Sequence, residues 1–312
     1  MTLATVSLCG TALADSGPVR VIVPFPAGGG PDGIARALAP ELSRRIGRNV
    51  IIENRPGAGG VLGTTVAANA AADGATLILG SSSSLAAAPS LNKKNVRYDA
   101  IRDFSHIGMI GRVPVVLIAK ANSPLKSIGD LVSAARQKPD SLTFGFPGNG
   151  SAPHLLGAVF LHAAGIKVTS VPFRGGADSL TAVMAGNISY AVTNIAPVSA
   201  QIRAGAVTPL AVSGRSRTPV LPQVPTFAEL GFPSVDMEIW YVLSAPAGTS
   251  PALVQQLNGF LNECLELPEV HAQLAKEGMT VFRTSVSDAS SFISAELPRW
   301  QQAAAVSGVT VE

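Results

Sequence analysis

The stretch PFPAGGGPDG, residues 24–33, stands between an apolar β-branched run and a segment of helical periodicity. Gly28, Gly29 and Gly30 permit positive φ and close approach to the backbone, and the helix that follows offers unpaired N–H groups and about half a unit of positive charge. Such a turn holds an anion without a cationic side chain. The plain alternative is a tight turn, although one glycine would satisfy that. Gly28, Gly30 and Gly33 also fit the spacing G-x-G-x-x-G, and Glu53 follows at the end of a strand, which is the pattern of a dinucleotide site and so of a nucleotide-dependent enzyme. Against it, Pro24 to Ala27 separate the strand from Gly28, and Pro31 sits inside the would-be phosphate turn.

Two further glycine-rich loops, GFPGNGSAPH at 145–154 and FRGGAD at 173–178, also join strands to helices, so three loops with exposed amides can line one cleft. Ser151 and His154 suggest a nucleophile and its base, yet no G-x-S-x-G surrounds Ser151 and no third partner is evident. Ser151 reads as an N-cap or ligand hydroxyl, and His154 as a pocket or packing residue. His106, His154, His162 and His271 lack metal-ligand spacing, so no metal or other cofactor is expected. SSSS at 81–84 is a polar loop or a source of hydroxyls at a strand end. NRPGAGG at 54–60 is a turn or a further wall of the cleft.

The elements that must carry these loops alternate short β-branched runs with helical periodicity: VRVIV, a helix from about Asp32 to Ile46, NVIIE, a second helix, ATLILG. That is the rhythm of βαβ units around a parallel sheet. In the first helix Ile34, Leu38, Leu42 and Ile46 recur at i+4, with Asp32 able to cap the start. A second block opens near Ser123-Pro124, with a capping box at Ser127 and Asp130 and the strands LTFGF, KVTSVPF and ISYAVTN. A strand near Glu238 to Leu243 then leads into three helices whose starts are marked by Pro251, Pro268 and Ser287. The pattern predicts two α/β domains, residues 15–119 with 237–312 and an inserted 120–236, joined by crossings near Val115 to Lys120 and near Glu238 to Leu243. The cleft between them, at the carboxyl ends of strands, is the expected ligand site.

With 47% hydrophobic residues the chain has ample material for a core, and its 23 Lys and Arg against 20 Asp and Glu are scattered without a basic run, which excludes a nucleic-acid footprint. Residues 1–14, MTLATVSLCGTALA, carry no charge and end in Ala12-Leu13-Ala14, which predicts a signal peptide cleaved after Ala14 and an exported, periplasmic protein. Cys9 leaves with that segment, so Cys264 is a lone thiol, expected in the core. Trp240 and Trp300 are read as core or interface aromatics.

The motifs PFPAGGGPD, NRPGAGGVLG, ADGATLILGS, FGFPGNGSAPH, VPFRGGADSL, LAVSGRSR with LPQVPTFAELGFP, and WYVLSAPAGTS, in this order, resemble the Bug family, the TctC-like substrate-binding proteins of tripartite tricarboxylate transporters. The resemblance runs from about Val19 to the C-terminus. It implies a type II periplasmic binding protein, a monomer of two α/β domains that closes on its ligand by hinge bending. It implies no enzyme activity, a small carboxylate (dicarboxylate, amino acid or aromatic acid) as ligand, and membrane permease subunits as partners. A sensor that signals to a receptor domain is a further reading. Carried over from the family, the ligand-binding residues are Phe25, Ala27, Gly28, Gly29 and Asp32 of the first loop, and Ser81 and Ser82 after the third strand. Gly148, Ser151 and His154 follow in the next loop, then Gly175, Gly176 and Ala177, and last Thr193 and Asn194. Where the family reads G-G-P-T/S-D, this chain has Gly29-Gly30-Pro31-Asp32, which removes a hydroxyl and one N–H donor from the first loop.

Overall fold

The computed structural model describes residues 17–309, so the expected signal segment and its cleavage site after Ala14 lie outside the described residues. In chain order the elements are β1 (Val19–Val23), α1 (Gly30–Ile46), β2 (Val50–Asn54), α2 (Val61–Ala68), β3 (Thr76–Ser81), α3 (Ala88–Leu91), β4 (Phe104–Val113) and β5 (Val115–Lys120). They continue with α4 (Ile128–Gln137), β6 (Thr143–Pro147), α5 (Ala152–Ala164), β7 (Thr169–Phe173), α6 (Gly176–Ala185), β8 (Tyr190–Asn194), α7 (Ser199–Arg203) and β9 (Val207–Val212). The chain closes with β10 (Ile239–Pro246), α8 (Pro251–Glu266), α9 (Pro268–Lys276), β11 (Thr280–Val281) and α10 (Val286–Ser307).

Two sheets result, one ordered β11-β4-β10-β3-β1-β2 and the other β7-β6-β8-β5-β9. Both are mixed rather than parallel throughout. β1 pairs parallel with β2 and β3, and β6 with β7 and β8, as short strand-helix-strand units dictate. β10 runs antiparallel between β3 and β4, and β5 antiparallel between β8 and β9, because these strands carry the chain from one sheet to the other. The β5 strand belongs wholly to the second sheet, so the first crossing falls at Pro114, ahead of the boundary at 119 read from the sequence. β10 belongs wholly to the first sheet, so the return crossing precedes Ile239.

The strands explain the core. β3 and β10 are buried along their whole length, as continuous apolar runs between two neighbours should be. β5 is buried on both faces and its alternation divides two cores: Val115, Leu117 and Ala119 face the larger cluster, Val116 and Ile118 the smaller. The larger cluster is continuous between the halves, since α10 packs against α5 as well as against β4. Trp240 and Trp300 are completely buried in it, and so is the free thiol of Cys264. Helix starts follow the sequence signals with one shift. Pro251 and Pro268 open α8 and α9, but the cap of α10 is Ser285, whose hydroxyl accepts from the Asp288 N–H, and not Ser287.

Candidate functional site

The carboxyl ends of β1, β3, β6, β7 and β8 converge on one cavity of about 290 Å³ between the two sheets. The first sheet contributes Phe25 to Pro31, Ser81 and Ser83, with Ile239 and Tyr241 from the start of β10, which is antiparallel and so points that end the same way. The second contributes Pro147, Ser151 and Pro153, then Arg174 to Asp178, then Thr193, Asn194 and Pro197. The walls are largely proline, aromatic and aliphatic, with a few polar groups set among them.

The first loop is built by its own sequence. Gly28 takes φ +77, a left-handed conformation that a Cβ would oppose, and the chain turns there into α1 with Gly29 at the N-cap position and Pro31 in the first turn. Asp32 is not the N-cap. Its carboxylate lies behind the loop, accepts from the Gly28 N–H at 2.9 Å and the Asn54 side chain at 3.1 Å, and pairs with Arg36 at 2.9 Å. Burial alone would raise its pKa, but these donors outweigh it and hold the carboxyl below its ordinary value. Asp32 therefore shapes the loop from outside the cavity wall.

Two residues of the cavity lining carry buried hydroxyls with no protein partner. Ser81 Oγ, at the end of β3, and Thr193 Oγ1, at the end of β8, are both fully buried and make no hydrogen bond. A Cβ on Gly176 would stand 2.5 Å from Thr193 Oγ1, so the bare first residue of α6 is what lets that hydroxyl reach the helix N-terminus. A buried hydroxyl left unpaired costs about 1–3 kcal/mol, and these two differ from the other unpaired groups in belonging to residues of the cavity lining.

Of the residues carried over from the family, Phe25, Ala27, Gly28, Gly29, Ser81, Ser151, Gly175, Gly176, Ala177, Thr193 and Asn194 line the cavity. Asp32, Ser82, Gly148 and His154 do not. Ser82 is fully buried and its hydroxyl has no protein partner. Gly148 supplies a left-handed turn, φ +91, in the loop ahead of α5. His154 stacks on Phe146, with centroids 3.8 Å apart and planes at 6°, and its Nδ1 accepts from the Gly150 N–H. Burial lowers its pKa to about 4, so the ring is neutral at ordinary pH and acts as a brace for the loop. Ser151 has both roles read for it, since its hydroxyl accepts from the His154 N–H as N-cap and the residue lines the cavity.

The dinucleotide pattern does not assemble. Glu53 pairs with Arg20 and Arg55 away from the cavity, and Gly33 lies against the carboxyl of Glu277. The NRPGAGG segment is neither a plain turn nor a wall of the cavity. Gly60 backs the Phe25 ring, and Gly59 abuts the Asn149 carbonyl of the opposite half. Sequence reasoning singled out the SSSS run that holds Ser83, but it missed Arg174, Asp178, Ile239 and Tyr241 as lining residues. Arg174 lay inside a loop already singled out, and Tyr241 inside a strand read as a crossing; which side chains turn inward had no sequence signal. Among the described residues no cluster of His, Cys, Asp or Glu could hold a metal ion.

Residues 34–308 match the tripartite tricarboxylate transporter family receptor. Protein BugT of Bordetella pertussis is 34% identical over 301 residues, covering 96% of this chain and 92% of the relative. A Rhodopseudomonas palustris protein solved with adipate superposes with a TM-score of 0.89 at 32% identity, over 95% of this chain and 98% of that one. MatC from the same organism, with bound malate, gives 0.86 at 31%, over 92% and 98%. The fold is that of the periplasmic binding proteins, with two α/β halves and a cleft between them. The chain belongs to the tripartite tricarboxylate transporter receptor family, whose members are solute-binding proteins and not enzymes.

Proposed function

We infer that this protein captures a small carboxylate in the cavity between its two sheets and presents it to the membrane permease subunits of a tripartite transporter. The observation that carries this reading is that one cavity is lined by the N-terminal residues of α1 and α6, one from each half, together with Ser81 and Thr193, whose buried hydroxyls have no protein partner. Backbone amides and hydroxyls grip an anion without a buried cation, which would be costly to keep desolvated when the site is empty. The apolar walls suit a short carbon chain. A second polar end is available at α6, where Arg174 lines the cavity and forms no ion pair among the described residues. A dicarboxylate is therefore the favoured ligand, in keeping with the adipate and malate seen in the related structures. We assign the ligand contacts to the lining residues named above, with Asp32, Gly148 and His154 shaping the loops.

In this reading the protein works as a periplasmic monomer, exported by the segment ending at Ala14. Its two domains, one built on the first sheet up to Val113 and again from Ile239, the other inserted from Val115 to the return crossing before Ile239, close by bending at Pro114 and in that return crossing. Thermal unfolding of residues 15–312 against a panel of mono- and dicarboxylates, with NAD and NADP included, tests it. A true ligand at one hundred times its Kd adds about 2.7 kcal/mol, several degrees at this size. A shift with a dinucleotide and none with any acid would refute the reading.

A further inference from the structure

Gly30 and Gly33 open α1, and the residue pressed against both is Glu277, which follows α9. A Cβ on Gly33 would lie 2.3 Å from Glu277 Oε1; one on Gly30 would lie 3.5 Å from Oε2 and 3.1 Å from Asn194 Nδ2. Gly30 lines the cavity and Glu277 does not, so this carboxyl stands one layer behind the anion pole, on the same first turn of helix. Next to it, the Gly278 backbone approaches Ile195 of the opposite half, which places Glu277 at a contact between the two halves. Among the described residues its carboxyl makes no hydrogen bond and no ion pair.

Its electrostatic surroundings are short of positive charge. From α1, the acting group is the Asp32 carboxylate, whose own partner is Arg36; farther along, Glu41, Arg44 and Arg45 pair among themselves and with Glu263 of α8. Glu266 of α8 pairs with Arg283, and β11 carries no charge. From β10 the Tyr241 phenol faces it, and from β8 the neutral Asn194 amide. On its own segment, Lys276 bonds to Gln273. Burial, and secondarily Asp32, raise the Glu277 pKa to about 7.

We propose that Glu277 is a ligand-linked proton site: a carboxylate bound at the first turn of α1 competes with ionised Glu277 for the same helix N-terminus, so the protein takes up one solvent proton with its anion. The glycines at 30 and 33 are what bring the two anions within reach of one another. This deepens the carboxylate reading and rests on it. Well below its raised pKa Glu277 is neutral and affinity is flat; well above it binding must first protonate the carboxylate, so affinity falls by at most roughly tenfold per pH unit.

Two arms test this. Without ligand, the Glu277 carboxyl carbon, assigned by its loss in Glu277→Gln, is titrated by NMR; a midpoint near 7 is expected, and one near the ordinary 4.5 overturns the proposal. With adipate as probe, or malate if adipate does not bind, calorimetry at pH 8 in buffers of different ionisation enthalpy reads proton uptake. Uptake approaching one proton is expected, with a Kd that weakens several-fold from pH 6.5 to 8.5. Both effects vanish in Glu277→Gln and in Gly33→Ala, whose Cβ pushes the flexible carboxyl off the helix. Binding without proton uptake, or the same pH dependence in Glu277→Gln, overturns the linkage and leaves the carboxylate reading intact. If neither acid binds, the linkage falls with that reading, while the ligand-free titration reports the proton site separately.

Discussion

The Asn194 side-chain amide, at the carboxyl end of β8, donates to the Tyr241 phenol of β10 over 3.3 Å, a bond that ties the second sheet to the first at the cavity wall. Both partners line the cavity, and Asn194 also crowds Gly30 at the start of α1. The two halves are thus joined at the wall where a ligand would sit, so the ligand site and the contact between the halves share residues.

Tyr241→Phe removes that bond with little change in volume. A neutral hydrogen bond is worth about 1 kcal/mol net and this one is made without ligand, so the ligand-free melting temperature should fall by about 2 °C, while Kd for the captured acid should change by less than roughly fivefold by calorimetry.

Ser81→Ala and Thr193→Val should move stability and affinity in opposite directions. Each deletes a buried hydroxyl that lacks a partner in the empty protein, so the ligand-free melting temperature holds or rises. Affinity falls roughly tenfold for each, at about 1.4 kcal/mol per decade. Lower stability with full affinity would instead make the hydroxyls structural.

Pro31→Thr restores an N–H and a hydroxyl in the first turn of α1, where the wild-type residue lines the cavity and donates nothing. Carboxylate binding should tighten several-fold; equal or weaker binding by calorimetry would show that the ligand does not use this turn.

His154 and His106 are both buried, and burial lowers each pKa to about 4 from 6.5. The unfolded chain binds more protons between those values, so stability is full above pH 6.5 and is lost as pH falls towards 4, with a slope approaching 1.4 kcal/mol per unit for each ring. Denaturant unfolding from pH 7 to 4 should show this slope, and His154→Gln should reduce it.

Much of this was legible in the residues. Periodicity located α1 through Ile34, Leu38, Leu42 and Ile46, and three glycine-rich loops between strand and helix announced a cleft lined by backbone. Such signals are local: they reflect the φ a glycine allows or the spacing of one helical face, and they need no knowledge of what lies opposite. The sequence reading overreached where it took side-chain identity for orientation. Asp32, carried over as a ligand contact, braces the loop instead, and His154, read both as a packing residue and as a carried-over contact, is the packing residue, stacked on Phe146.

What the sequence by itself determined is the set of strand-to-helix loops, their glycines, and the family to which their order belongs. Only the tertiary structure decided which groups share the cavity, because Ser81 and Thr193, or Gly33 and Glu277, are brought together by two crossings of the chain between sheets. Contacts between residues so far apart in the chain depend on how α10, α9 and β10 return across the first sheet. No local propensity encodes that return; the packing of one continuous core does.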